Sequence, residues 1–245
     1  MKNILATVSG KGGVGKSTCA LGIGVALCKK GKRVLLIDLD CGLRCLDLMA
    51  DVAEKLVFDL GDVLRGKALA DAVLPVDRCE GLYLLSAPAD RVEIDGKALS
   101  ELLLKTDGYD YIILDLPAGT DFPYIEDISD IVDFLVVTCG DAVSVRDSFI
   151  AAQVAERFGG NCRLLINKYA RRHLKNGAYG GIDDIIDNSG CRLLGLIPFD
   201  DDCVSDPLSI FSRANKKANA FARIADRIYG YDTPLPKVKR IEKGK

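Results

Sequence analysis

A single histidine, His173, occurs in the 245 residues, and it sits in the polar run Arg171-Arg172-His173. Without further nitrogen ligands it completes no zinc site, and it reads as a solvated loop residue. No Cys-x-x-Cys pair occurs either: Cys19, Cys28, Cys41, Cys45, Cys79, Cys139, Cys162, Cys191 and Cys203 are scattered along the chain. Their number is odd, and Lys2 and Asn3 run straight into an apolar strand with no secretory signal before them. These features argue against a disulfide scaffold and for reduced cytosolic thiols, several of them filling the core. Apolar runs stop at about five residues, against the ~18 or more that a membrane span requires. Basic charge is not in excess: Lys+Arg 33 against Asp+Glu 35 leaves a net charge of −2. That balance gives no global electrostatic case for nucleic acid.

What is present is a repeating pattern. Short, continuous apolar runs fall at Ile4–Val8, Val34–Ile37, Leu82–Leu85, Tyr111–Leu114, Phe134–Val137, Leu164–Ile166 and Leu193–Ile197. Continuous apolar character means burial on both faces, as in parallel strands covered by helices. Helical segments lie between them at Lys16–Lys30, Gly96–Lys105, Ala142–Phe158 and Asn215–Tyr229. The pattern predicts an α/β fold, a doubly wound, mostly parallel sheet with helices on both faces. One domain is expected over residues 1–230. Beyond Gly230 the composition shifts to Pro234, Pro236 and the basic residues Lys237, Lys239, Arg240, Lys243 and Lys245, which predicts a flexible basic tail over 231–245.

The run Gly10-Lys11-Gly12-Gly13-Val14-Gly15-Lys16-Ser17 follows the first apolar strand and opens a helix, with Thr18 next in line. Strand, G-x-x-x-x-G-K-[ST] and helix together form the phosphate-binding P-loop signature. Glycines let backbone N–H groups close around phosphate oxygens, and the helix N-terminus adds its positive dipole. Lys16 is expected to neutralise β- and γ-phosphate charge of ATP, and the Ser17 hydroxyl to ligate Mg²⁺. Lys11 places a second cation on the loop.

Two further strands end in carboxylates. After the second comes Asp38-Leu39-Asp40-Cys41-Gly42-Leu43-Arg44-Cys45-Leu46-Asp47-Leu48, at the strand edge where ligands bind in such sheets. Asp40 is the candidate to orient the attacking water or hold Mg²⁺ through water, with Asp38 bracing the loop. Tyr111-Ile112-Ile113-Leu114-Asp115-Leu116-Pro117-Ala118-Gly119 closes another strand on Asp115, the Walker B arrangement that holds Mg²⁺ through water. The Gly119 N–H stands where it would sense the γ-phosphate.

These motifs, in this order and spacing, resemble the MinD proteins of the MinD/ParA family of deviant Walker A P-loop ATPases. K-G-G-x-G-K-[ST], D-x-D-x-G-L-R-x-L-D-L, D-x-P-A-G, Ser144-Val145-Arg146-Asp147-Ser148 and Leu82-Tyr83-Leu84-Leu85-Ser86-Ala87 carry the likeness over residues 2–230. The resemblance implies a slow, Mg²⁺-dependent ATPase that forms a homodimer with ATP, Lys11 reaching the phosphates bound by the partner subunit. It implies an adenine site at Asn167 and Pro198. It also implies MinC-like and MinE-like or other regulatory partners, and a cytoplasmic protein that visits the inner face of the cell membrane. The tail departs from that pattern: Leu235, Val238 and Ile241 make no continuous apolar face, so its membrane contact is expected to be weak and electrostatic. Alternatives within the fold are a ParA-like partition protein or flagellar-number regulator. Outside that role stand an iron–sulfur reductase component, which needs two cluster cysteines per subunit, and a P-loop small-molecule ligase. Cys139 is the first cysteine after Asp115, and Cys41 and Cys45 flank the first switch.

Overall fold

The computed structural model describes residues 3–120, 123–170, 179, 181–199, 208 and 216–235. Its backbone is set by strands β1 (Asn3–Val8), β2 (Val34–Asp38), β3 (Leu74–Pro75), β4 (Leu82–Leu85), β5 (Tyr111–Asp115), β6 (Asp133–Thr138), β7 (Asn161–Tyr169) and β8 (Arg192–Pro198). They lie in the order β3-β4-β2-β5-β1-β6-β7-β8. Every described pairing is parallel except β3 with β4. All seven apolar runs are strands. The edge strand β3 went unread, because two residues, one of them Pro75, carry no period and a proline suits an edge.

Burial follows the pleat. Ile4, Ala6 and Val8 of β1 join Leu35 and Ile37 of β2 in one core, whereas Leu5, Val34 and Leu36 enter the other. Successive strand side chains point to opposite faces, so a continuous apolar strand feeds two cores at once. Helix α1 (Lys16–Cys28) fills the second core and is buried nearly all round, which explains its lack of a polar face. The short helices α2 (Leu46–Met49), α3 (Leu60–Leu64), α4 (Leu69–Ala72) and α6 (Ile125–Ile128) line the connections around α5 (Gly96–Lys105). Helix α7 (Ala142–Arg157) covers the first core and packs beside α8 (Ile182–Ser189), and the C-terminal helix is α9 (Lys216–Tyr229).

Helix α9 closes the structure over α1. Phe221, 1% exposed, stacks on Gly22, where an added Cβ would stand 2.4 Å from the Phe221 ring. Glycine costs helix stability in isolation, but here its missing side chain is what allows the two helices to meet. Arg227 ties the end of α9 to β8, donating to the Leu193 and Leu194 carbonyls at 3.2 and 2.7 Å. Gly22→Ala should therefore lower unfolding stability by about 1–3 kcal/mol, the usual cost of overpacking a core. Urea unfolding measures it, and Phe221→Leu in the same chain should restore part of the loss.

Candidate functional site

The C-terminal ends of β1, β2 and β5 lie side by side, with Thr7 in register with Asp115 and Asp38 in register with Asp115. Between β1 and α1 runs the phosphate loop. Gly15 is the N-cap of α1 in a left-handed conformation, φ 91°, and no side chain caps the helix. The first-turn amides of Lys16, Ser17 and Thr18 are therefore presented at the loop, the arrangement that receives anions. Glycine is required at position 15 twice over: besides its φ, a Cβ would lie 2.3 Å from the Asn167 amide nitrogen. At Gly10 a Cβ would lie 2.4 Å from the Asp147 carbonyl oxygen of α7. The loop is thus clasped between α7 and β7. From β7, Asn167 Nδ2 donates to the Val14 carbonyl at 2.8 Å, and Lys168 Nζ to the Gly13 carbonyl at 2.6 Å.

The carboxylates expected from the sequence converge on this loop. Asp115 is buried, and its Oδ1 accepts from the Thr7 hydroxyl at 2.9 Å. The Ser17 side chain stands beside it on the loop side. Burial pushes the Asp115 carboxyl up, against those two hydroxyls and the charge of Lys16. Asp38 braces the first switch: its carboxylate accepts from the Asp40 and Leu46 N–H groups at 2.9 and 3.3 Å. Burial and the neighbouring Asp115 push Asp38 up to about 7. Asp40 is only half-buried, so its upward push by desolvation is opposed by Lys16 and Arg91. Arg44, in a left-handed conformation at φ 41°, pairs with the buried Asp47 at 2.8 Å and fixes the rest of the switch. Among the described residues no three His, Cys, Asp or Glu stand close enough to cage a metal. A magnesium ion held here by Ser17 and Asp115 would take its other ligands from phosphate and water, which is its usual habit.

At the rim, Lys11 Nζ lies 3.3 Å from Asp141 Oδ1, both side chains about half exposed. Asp141 is the N-cap of α7, accepting from the Ser144 amide at 3.0 Å and the Ser144 hydroxyl at 2.6 Å. Partial burial pushes its carboxyl up, but the Ser144 bonds and Lys11 outweigh that and hold it below the usual range. Beside this pair opens a cavity of about 520 Å³ lined by Lys11, Val14, Asp141, Lys168, Tyr169 and Phe199, among others. Across the loop, the Gly119 N–H donates to the Ser9 carbonyl at 3.0 Å.

The CobQ/CobB/MinD/ParA nucleotide binding domain matches residues 5–209 of the chain. The septum site-determining protein MinD of Bacillus subtilis (strain 168) is 32% identical over 257 residues, covering 100% of this chain and 95% of that protein. Among solved structures, the MinC:MinD cell division protein complex of Aquifex aeolicus has a chain 30% identical, with a TM-score of 0.83 and coverage of 96% of this chain and 99% of that one. The septum site-determining protein MinD complexed with Mg-ADP from Pyrococcus horikoshii OT3 is 27% identical, with a TM-score of 0.82 and coverage of 94% and 97%.

The chain belongs to the MinD/ParA family.

In this MinD/ParA ATPase the structure brings Lys16, Ser17, Asp40 and Asp115 together, with Lys11 at the rim against Asp141. Asn167 and Pro198, expected at the adenine site, lie near the ends of β7 and β8. Asn167 lies inside β7, which runs on to Tyr169, and its amide nitrogen is committed to the loop carbonyl of Val14. Pro198 is the last residue of β8. Their neighbours Lys168, Tyr169 and Phe199 line the cavity. Asp141 and Lys168 escaped the sequence reading. Asp141 had a signal, the N-cap spacing Asp-x-x-Ser ahead of an apolar helix; Lys168 had none, because it reaches Gly13 only through a bulge in β7 and a φ of 52°. Cys41 is half-buried and Cys45 exposed, and no third ligand joins them among the described residues. Separating the two duties of Asp141 is simple. Asp141→Ala should cost about 1 kcal/mol through the lost cap, whereas Asp141→Asn, which caps equally well, should leave stability within about 0.5 kcal/mol. Denaturant unfolding of the two variants side by side checks it.

Proposed function

We propose that the chain is an ATP-operated dimerisation switch for placing the division site, slow in hydrolysis and released by regulatory partners. The observation that carries this reading is the meeting of Ser17, from the loop, with Asp115, from the end of β5, under the amide-lined mouth of α1. Loop amides and Lys16 hold the β- and γ-phosphates. Ser17 and Asp115 would hold magnesium, which would supply charge neutralisation at the phosphates. Asp40, half-buried at the same edge, orients the attacking water. No other side chain of the described site is placed as a strong base, which fits a timer rather than a fast catalyst.

Lys11 is the part that turns binding into assembly. In the free chain it rests on Asp141 in an exposed pair, a contact worth at most about 1 kcal/mol. A phosphate group bound by a second subunit offers a stronger anion, so ATP draws Lys11 across and leaves α7 with a changed electrostatic surface. The Gly119 N–H, held by Ser9, marks the second switch that rearranges when the γ-phosphate is present. The Aquifex relative assembles with MinC, and a MinC-like protein is the partner proposed here for the dimer, with a MinE-like or other regulator triggering hydrolysis. The domain is taken to span 1–230. No helix among the described residues is long and apolar enough to cross a membrane. Residues 236–245 lie outside the described residues, and their five basic side chains are proposed to give a salt-sensitive contact with the inner face of the cell membrane.

In Asp40→Ala, with ATP and Mg²⁺, the mass in solution should double, while Lys11→Ala should bind ATP and stay monomeric. The doubled species should sediment with anionic vesicles at low salt and come off near about 0.3 M, where screening is nearly complete. An Asp40→Ala chain that remains monomeric at tens of micromolar with saturating ATP sinks the dimer switch.

A further inference from the structure

Two consecutive residues of β7 hold two consecutive carbonyls of the phosphate loop. Asn167 Nδ2 donates to the Val14 carbonyl at 2.8 Å, and Lys168 Nζ to the Gly13 carbonyl at 2.6 Å. A regular strand cannot do this, because its successive side chains point to opposite faces of the sheet. At this point β7 is not regular. Ile166 pairs with Leu196 and Tyr169 with Pro198, so three steps along β7 match two along β8. The extra residue is a bulge, and within it Lys168 takes a left-handed conformation, φ 52°. Lysine lacks the short polar side chain that lets Asn or Asp adopt this backbone readily. Such an outlier persists only where its surroundings impose it, and outliers of this kind gather at functional sites.

A held carbonyl also fixes an amide. The peptide unit is planar and trans, so its C=O and N–H point in opposite directions. Drawing the Gly13 carbonyl to Lys168 turns the Val14 N–H away from β7, and Asn167 does the same for the Gly15 N–H. On the incoming limb the Ser9 hydroxyl donates to the Lys11 carbonyl at 2.9 Å, which turns the Gly12 N–H. None of these three N–H groups donates to another backbone group among the described residues. The tethers are needed, because Gly13 and Gly15 flank Val14 with φ of 78° and 91°. Glycine enters and leaves that region at little cost, so the peptide units between them flip unless something holds them.

We propose that Lys168 is a positioning residue for ATP, locking the Gly13–Val14 peptide with its N–H toward the phosphates. This rests on the reading of the loop as an ATP site. The lock is already closed in the free chain, so the orientation is set before the nucleotide arrives and its effect falls on binding. ATP, ADP and inorganic pyrophosphate all present phosphate to these amides, so all three should feel it equally. Lys168 also suits a test better than Asn167. It is exposed, so its replacement leaves no buried void, whereas Asn167 is 4% exposed.

The full chain and its Lys168→Met and Lys168→Arg variants are compared by equilibrium binding of ATP, ADP and pyrophosphate, steady-state hydrolysis and urea unfolding. In Lys168→Met the Kd for each of the three should rise about tenfold, the scale of one charge-assisted hydrogen bond. KM should rise with it while kcat stays within about twofold, and the urea midpoint should not move. Lys168→Arg, which keeps charge and donors, should recover most of the affinity. A Lys168→Met chain that binds ATP as the parent does overturns the proposal and leaves the ATP reading standing. A loss on ATP and ADP that spares pyrophosphate puts Lys168 beside the nucleoside and also overturns it. So does a loss that tracks a lower urea midpoint and is not rescued by arginine. A parent chain that binds neither ATP nor pyrophosphate overturns both the proposal and the reading beneath it.

Discussion

A six-residue turn from Gly10 to Gly15 has to stay open toward solvent while both of its ends are buried. Its incoming strand, β1, is the middle of the sheet, with β5 on one side and β6 on the other. Its outgoing helix, α1, is buried on nearly every side. Neither end can shift without disturbing a packed core, so the loop conformation is dictated by the sheet and by α1 together. The remaining freedom is removed by Asn167 and Lys168 from β7 and by the close passage of α7 over Gly10. Amide hydrogens gathered in this way suit an anion best, and the lysines Lys11, Lys16 and Lys168 reinforce that preference.

Strength is distributed unevenly around the loop, and the distribution matches the work of a switch. Bonds beneath it are buried: Thr7 to Asp115, Asn167 to Val14, and the Leu46 N–H of the first switch to Asp38. Bonds at its rim are few and exposed, with Lys11 on Asp141 at 3.3 Å as the clearest case. Screening by water makes such a contact cheap to exchange, whereas the buried set would be costly to break. Binding can therefore rearrange the rim while the platform stays rigid.

Much of this was legible in the residues. Seven continuous apolar runs gave seven strands, because burial on both faces leaves no room for polar alternation. Gly10 to Ser17 and Asp115 could be placed because their chemistry depends on a strand end followed by a turn, a local context that the sequence displays. For Asn167, a carboxamide on a strand beside the loop was visible, but not that it would donate to the Val14 carbonyl. Lys168 was hidden because its reach depends on a bulge and a left-handed φ, which no residue type announces at a lysine.

The central claim is that this loop and its two carboxylates bind and slowly hydrolyse ATP. Phosphate release from ATP by the purified chain, measured with and without Mg²⁺ and compared with Lys16→Ala, tests it most directly. The account predicts Mg²⁺-dependent release below about 1 s⁻¹, the low end of ordinary turnover, abolished together with nucleotide affinity in Lys16→Ala. A Lys16→Ala chain that binds and hydrolyses ATP as the parent does would contradict it.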